Sequence, residues 1–258
     1  TNQFPLFAAL AKSGVIRVET LEKTGRWFRN NFPLTPATAV VALDDWKEQG
    51  RKTVWYDSRF YRLNVLWEEA GFFIRDIHCF DERMVSPTHE SALKETSLTY
   101  ETLPMVDWAY WSRSGEKHAG MWPVLRAADG SVSSLRPEGK PVVKELNSTD
   151  LMVQQPLKGG GIFSMVCAEK EVTFFGKDGP DTQLHWARDI EGGKSTIEKV
   201  DAQSVFYRHA GVGYRLRLGA RAGSCEQLSD GSVRVLPNDG GKLVLKLDAG
   251  SVAAIVTK

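Results

Sequence analysis

The sequence predicts a mainly β protein, an antiparallel β-sandwich preceded by a short α-helical N-terminal segment. Two observations indicate this fold class. From Lys52 onward, short runs rich in aromatic and β-branched residues alternate with turns at fairly regular spacing, which is typical of a sandwich rather than of alternating βα units. The first fifty residues lack this pattern and carry helix signals instead. We therefore divide the chain into an N-terminal helical or βα segment, 1–50, and a β-sandwich domain, 51–258.

The N-terminal segment opens with a short helical candidate, Phe4–Lys12, and a short predicted strand, Val15–Val18. A second helix is expected after Thr20, because a Thr hydroxyl suits an N-cap and the following residues place apolar side chains at helical spacing. This helix should end at Phe32-Pro33, since proline disfavours a helical residue before it.

A strand at Thr38–Leu43 followed by a short helical turn at Asp44–Gln49 resembles one βα unit. One such unit cannot form a parallel sheet alone. The segment is therefore expected either to pack on the β domain or to belong to an upstream domain.

The stretch from Val54 to Glu82 is the richest part of the chain. Phe60–Trp67 and Phe72–Phe80 flank a Gly-containing turn at 68–71 and predict a hairpin. Further strands follow from the same alternation, with Glu169-Lys170 as a hairpin turn. They are Val106–Trp111, Met121–Ala127, Val142–Glu145, Leu151–Gln155, Ile162–Ala168, Glu171–Phe175, Gln183–Ala187, Ser204–His209, Tyr214–Leu218, Ser232–Val235, Lys242–Leu247 and Val252–Val256.

Composition excludes several classes of partner. The chain has 33 basic and 32 acidic residues, a net charge of +1, so bulk charge does not favour nucleic acid or an acidic membrane. No apolar run reaches transmembrane length and no signal peptide is visible. Three distant cysteines with no CxxC or Cys/His spacing predict buried thiols, no metal site and no cofactor. A processed chain and a piece of a longer protein would both begin as this one does.

The sharpest polar cluster is Arg75–Glu82. On a strand, Arg75 and Ile77 share one face and Asp76 and His78 share the other. A His beside a carboxylate can act as a general acid or base, which makes Asp76 and His78 the candidate catalytic residues. The alternatives are that the pair holds a sugar hydroxyl or serves packing alone.

A second cluster, Tyr56–Arg62, combines acidic, basic and aromatic groups. Asp57 with Arg59 or Arg62 can form a surface ion pair of small energetic consequence, or the arginines can grip a carboxylate-bearing sugar. Eight Trp residues supply either a large core or platforms for stacking on sugar rings. The candidate substrate-binding residues are Trp55, Asp57, Arg59, Arg62, Arg75, Trp108 and Trp111.

Several of these runs resemble the C-terminal portion of large bacterial carbohydrate-active proteins. The resemblance covers mainly residues 15–82 and rests on 18–28, 35–39, 54–62 and 74–78. In those proteins a barrel-like catalytic domain precedes an all-β domain. The β-rich remainder is similar in general pattern to the galactose-mutarotase-like sandwiches that accompany many glycoside hydrolases and lyases, a likeness of fold alone.

Three functions are compatible with the sequence. The first is a carbohydrate-binding or accessory domain of a secreted, polysaccharide-processing protein, with an oligo- or polysaccharide as partner and an extracellular or periplasmic location. The second is an enzyme, a glycoside hydrolase, lyase or epimerase, that uses His78 with a carboxylate. The third is a structural domain that supports an upstream catalytic domain or chain.

Overall fold

The computed structural model describes residues 3–45, 47–69, 71–81, 102–108, 119–127, 129–176, 182–187, 195–209, 212–219 and 223–247. Within these residues the chain is mainly β, with two antiparallel sheets and two helices near the N-terminus. The predicted fold class, an antiparallel β-sandwich with a short helical N-terminal segment, is confirmed.

The first sheet comes largely from the first half of the chain. Its strands are β1 (Thr38–Ala42), β2 (Lys52–Asp57), β3 (Tyr61–Glu68), β4 (Gly71–Cys79), β5 (Leu103–Asp107), β6 (Gly120–Arg126), β7 (Val132–Ser134), β12 (Thr182–Ala187), β16 (Ser224–Gln227) and β17 (Val233–Leu236). Their order is β1-β2-β3-β4-β6-β12-β17-β16, while β5 pairs with β4 and β7 pairs with β6. One edge of β4 therefore pairs with β3, and β5 and β6 share the other.

The second sheet comes from the second half of the chain. Its strands are β8 (Val142–Glu145), β9 (Leu151–Pro156), β10 (Ile162–Ala168), β11 (Glu171–Phe175), β13 (Ser195–Asp201), β14 (Ser204–His209), β15 (Val212–Leu218) and β18 (Lys242–Lys246). They lie in the order β13-β14-β15-β18-β11-β10-β9-β8. The strands predicted here are confirmed, although β13 was not predicted. The predicted strand Val252–Val256 lies outside the described residues.

Both sheets contribute alternate side chains to one hydrophobic core. Trp186 of the first sheet and Tyr207 of the second meet edge to face, with ring centroids 5.6 Å apart. Tyrosine hydroxyls also join the sheets: Tyr61 Oη donates to Ala168 O at 2.7 Å. The core thus combines aromatic packing with hydrogen bonds from buried hydroxyls such as that of Tyr61.

Residues 1–36 form a compact unit of their own, with helices α1 (Gln3–Lys12) and α2 (Leu21–Asn31). Thr20 caps α2 as predicted, because its hydroxyl accepts from Lys23 N. The predicted strand Val15–Val18 is wrong. The N–H groups of Val15 and Ile16 donate instead to Leu10 O, a carbonyl left open at the end of α1. No helix in the described part of the chain is both long and apolar enough to cross a membrane.

The strand predicted at Thr38–Leu43 is β1, the edge strand of the first sheet. The helical turn predicted at Asp44–Gln49 is present only as a single turn, in which Glu48 N donates to Asp45 O at 2.9 Å, and the described residues around it form a loop. The Asp45 carboxylate holds this loop by accepting from three backbone N–H groups, and so competes with helical bonding. The compact units divide between Pro36 and Ala37.

Candidate functional site

The candidate site lies on the outer face of the first sheet, meaning the face turned away from the core between the sheets. Ile77 and Cys79 belong to that core, so the alternate residues Asp76 and His78 lie on the outer face. The shared face of Asp76 and His78 agrees with the sequence prediction. Both residues are buried despite their position, with Asp76 5 % exposed and His78 0 % exposed.

A β-bulge places Arg75 beside Asp76. Ile74 and Asp76 pair with consecutive residues of β3, so Arg75 is the extra residue on β4. The prediction that Arg75 shares a face with Ile77 is wrong, because the extra residue interrupts the two-residue alternation. Arg75 Nε donates instead to Asp76 Oδ2 at 2.7 Å.

A second irregularity brings Asp107 into the cluster. Ile77 and His78 are adjacent on β4 but pair with residues two apart on β5, which makes Met105 the extra residue there. Beyond it, Asp107 lies directly opposite Asp76. Two buried carboxylates therefore face each other across neighbouring strands.

The imidazole of His78 is held on both sides. Its Nε2 lies 2.8 Å from Asp107 Oδ2, and its Nδ1 lies 2.8 Å from Thr102 Oγ1. Arg62 Nη2 approaches Nδ1 at a longer 3.3 Å. The ring is thus fixed in orientation, and its tautomer depends on whether Nδ1 accepts from its neighbours or donates to Thr102.

Burial and neighbouring charges act on the carboxylates in opposite directions. Burial raises the pKa of Asp76; the Arg75 guanidinium lowers it again, and the Asp107 carboxylate raises it further. Burial also raises the pKa of Asp57, and Arg62 opposes that shift. Burial therefore outweighs the neighbouring positive charges, and the pKa values of both carboxyl groups stay above their ordinary value.

Trp55 forms the aromatic part of the site. It lies on β2 between the core residues Val54 and Tyr56, so its indole lies on the outer face. The guanidinium carbons of Arg75 and Arg62 lie 5.3 Å and 5.8 Å from its ring centroid, within cation–π range.

The remaining candidates are Arg59, Trp108 and Trp111. Arg59 donates to Glu169 Oε1 at 2.9 Å and lies over the ring of Phe60, so it is not brought to this cluster. Trp108 directly follows β5 and is half-buried, and its backbone N–H donates to the Arg75 carbonyl at 3.1 Å, next to the cluster. Trp111 lies outside the described residues.

Three site residues were not among the predicted site residues. Asn64 and Asp107 are both fully or almost fully buried on the outer face, and Thr102 contacts His78 just before β5. The signal available for Asp107 was its place as a carboxylate at the end of an apolar run. For Thr102 no signal exists in the sequence, because its contact depends on the pairing of β4 with β5.

The chain has no match among models of protein families, among curated proteins or among solved structures. The resemblance to carbohydrate-active proteins therefore stays a prediction.

Proposed function

We propose that this protein is a carbohydrate-binding β-sandwich domain that holds an acidic sugar on the outer face of its first sheet. The observation that supports this proposal is the half-buried indole of Trp55 with two guanidiniums near its ring and Asp57 on the same face. Each of these groups suits a different part of a sugar acid.

Trp55 offers an apolar surface for the C–H face of a pyranose ring. The guanidiniums of Arg62 and Arg75 supply the paired donors that match a carboxylate, and a carboxylate such as Asp57 accepts from hydroxyls. The Nε of Arg62 is buried and has no hydrogen-bond partner within the described residues.

The burial of His78 favours binding over catalysis. A general acid or base must come within hydrogen-bond reach of the proton that it transfers, whereas His78 is 0 % exposed and held at both ring nitrogens. His78 and Asp107 therefore act as positioning residues that fix the sheet beneath the binding groups.

The test is a binding screen of the 258-residue chain against neutral and uronate-containing oligosaccharides, with product analysis for every ligand found. We expect the acidic sugars to bind without turnover. Trp55→Ala should weaken binding at least tenfold, whereas Arg59→Gln, which removes a guanidinium outside the cluster, should leave binding unchanged. Circular dichroism establishes that both variants are folded.

Two results would overturn the proposal. If no acidic sugar binds, or if Trp55→Ala and Arg59→Gln lose equal affinity, the assigned site is wrong. Product formation that disappears in His78→Ala replaces binding with the enzyme alternative, in which His78 and a carboxylate do acid–base work.

A further inference from the structure

We propose that Asp76, His78 and Asp107 form a binding site for one divalent transition-metal ion. One ligand atom from each residue lies within 4.8 Å of the other two, and all three residues are buried. Ligands bound to one ion at about 2.1 Å are roughly 3 to 4.2 Å apart in tetrahedral or octahedral geometry. Shifts of less than an ångström therefore suffice to bring the three atoms around a shared ion.

The hydrogen bond of Thr102 supports this arrangement. Metal-bound imidazoles usually donate their second N–H to a neighbouring oxygen, which fixes the ring and its tautomer. Thr102 Oγ1 lies 2.8 Å from Nδ1 and can accept such a bond. Nε2 then faces Asp107 Oδ2 at 2.8 Å, close to the separation of two adjacent ligands on one ion.

The charges of the cluster also favour a cation. Asp76 and Asp107 are directly opposite in register, and like charges in that position destabilise a sheet. Arg75 donates to Asp76 Oδ2 and His78 Nε2 contacts Asp107 Oδ2, so both carboxylates already have a partner, but neither partner lies between them as a shared ion would. A divalent ion between the carboxylates would neutralise both charges.

Asn64 is a further buried polar residue beside the cluster. It is 0 % exposed and lies opposite Asp76 on β3, with its side chain on the same outer face. Its Nδ2 donates to Thr53 Oγ1 and Val54 O, but its Oδ1 is buried without a hydrogen-bond partner within the described residues. A buried amide oxygen without a partner is costly, and it is a suitable oxygen ligand for a cation.

The mixture of one imidazole nitrogen with carboxylate oxygens indicates the class of ion. Ca²⁺ and Mg²⁺ favour all-oxygen sites, whereas imidazole suits zinc and its neighbours among the transition metals. Zn²⁺ and Mn²⁺ are therefore the probes. This inference goes beyond the proposed function, because metal binding is measured without any sugar.

The experiment titrates chelator-treated protein with Zn²⁺ or Mn²⁺ alone by calorimetry. We expect one ion per chain and a raised thermal midpoint in its presence. Thr102→Val, which preserves side-chain shape, should weaken binding about 10- to 100-fold by releasing the imidazole. Asp107→Asn should weaken it further.

His185→Gln is the matched control. His185 lies half-buried on the outer face of the same sheet, near Asp230, but outside the three-residue cluster. Its loss should leave affinity and stoichiometry unchanged. A decrease in His185→Gln equal to that in Thr102→Val would overturn the assignment.

Two readouts need no variant. An anomalous difference map at the zinc edge should show one peak within bonding distance of Asp76, His78 and Asp107. Nitrogen-15 shifts of His78 should show the proton on Nδ1 once the ion is bound. A peak elsewhere, or no binding at millimolar ion, would overturn the proposal even if Asp107→Asn fails to fold.

Discussion

Arg75 connects the parts of the candidate site at the level of a single residue. Its guanidinium forms an ion pair with Asp76 and lies over Trp55, and both contacts depend on its position in the bulge of β4. One side chain therefore links a buried carboxylate to the aromatic surface proposed to bind sugar.

Arg75→Gln removes the charged partner of a buried carboxylate. We expect the free energy of unfolding to fall by about 1–2 kcal/mol, less than for a fully buried pair because the Arg75 side chain is 32 % exposed. Urea denaturation at neutral pH measures the change. The control is Arg59→Gln, whose ion pair with Glu169 is partly exposed on both sides and should contribute less than about 1 kcal/mol. Equal losses would contradict the expectation.

His185 gives a pH dependence whose direction follows from its surroundings. Burial lowers its pKa, Asp230 opposes that shift and Arg234 adds to it. The unfolded chain therefore binds a proton at this position at a higher pH than the folded chain does. Stability is unaffected well above pH 6.5 and falls as the pH drops below about 6.5.

His185→Gln should abolish the part of the stability loss at low pH that comes from protonation of His185. The stability of the variant relative to the wild type is expected to rise as the pH is lowered from about 8 to about 5.5, across the ordinary pKa of histidine. Urea denaturation at each pH measures it. A difference that stays constant with pH would show that His185 titrates alike in both states.

Among the elements, β6 begins at Gly120, a position that only glycine can occupy without strain. Gly120 has φ +136°, and a Cβ there would lie 2.9 Å from Phe73 Cδ2 and 3.2 Å from Ile74 O. The missing side chain leaves room for the stacking of Phe73 on Trp122, with centroids 4.1 Å apart.

Gly120→Ala should therefore lower the free energy of unfolding by about 2–4 kcal/mol, from backbone strain and overlap together. Gly130→Ala is the control, since Gly130 also has a positive φ, +86°, but nothing lies within 4 Å of its added Cβ. It should lose only about 1 kcal/mol. Thermal and urea denaturation of both variants check the difference, and similar losses would mean that overlap with β4 contributes nothing.

The elements also show what a sequence can predict. Alternation located most strands of the second sheet, and a capping Thr20 with Pro33 bounded α2, because these are local signals. β7 (Val132–Ser134), β13 (Ser195–Asp201) and β16 (Ser224–Gln227) are polar or short and were missed. The faces of Asp76 and His78 were predictable, whereas the bulges at Arg75 and Met105 depend on the register in which β4 pairs with β3 and β5, which no local pattern specifies.

At the scale of the whole molecule, all three cysteines are buried thiols that form no disulfide. Burial raises the pKa of Cys225 to about 12 and raises the pKa of Cys167 as well. Since the thiolate is the reactive form, we expect no reaction with a disulfide reagent in the folded protein and three equivalents after denaturation. Rapid release of one equivalent before unfolding would contradict this.

Apolar side chains are exposed throughout the N-terminal unit. Phe4 is 80 % exposed and Leu21 92 % exposed, and neither helix has a buried residue. We expect the chain to self-associate as concentration rises, and a Phe4→Ser, Leu21→Ser double variant to remain monomeric in sedimentation velocity. Identical sedimentation of both proteins at every concentration would contradict this.

The two-sided character of β4 restricts how its length can change over evolutionary time. Deleting Ile77 would move His78 into the core position and disrupt the core and the polar cluster together. Deleting Arg75 would leave Ile74 and Asp76 alternating in the ordinary way, because the bulge already holds the extra residue. Natural variants that lose one residue from this strand should therefore have lost it at the bulge. Such variants keep the core but lose the contact between Arg75 and Trp55.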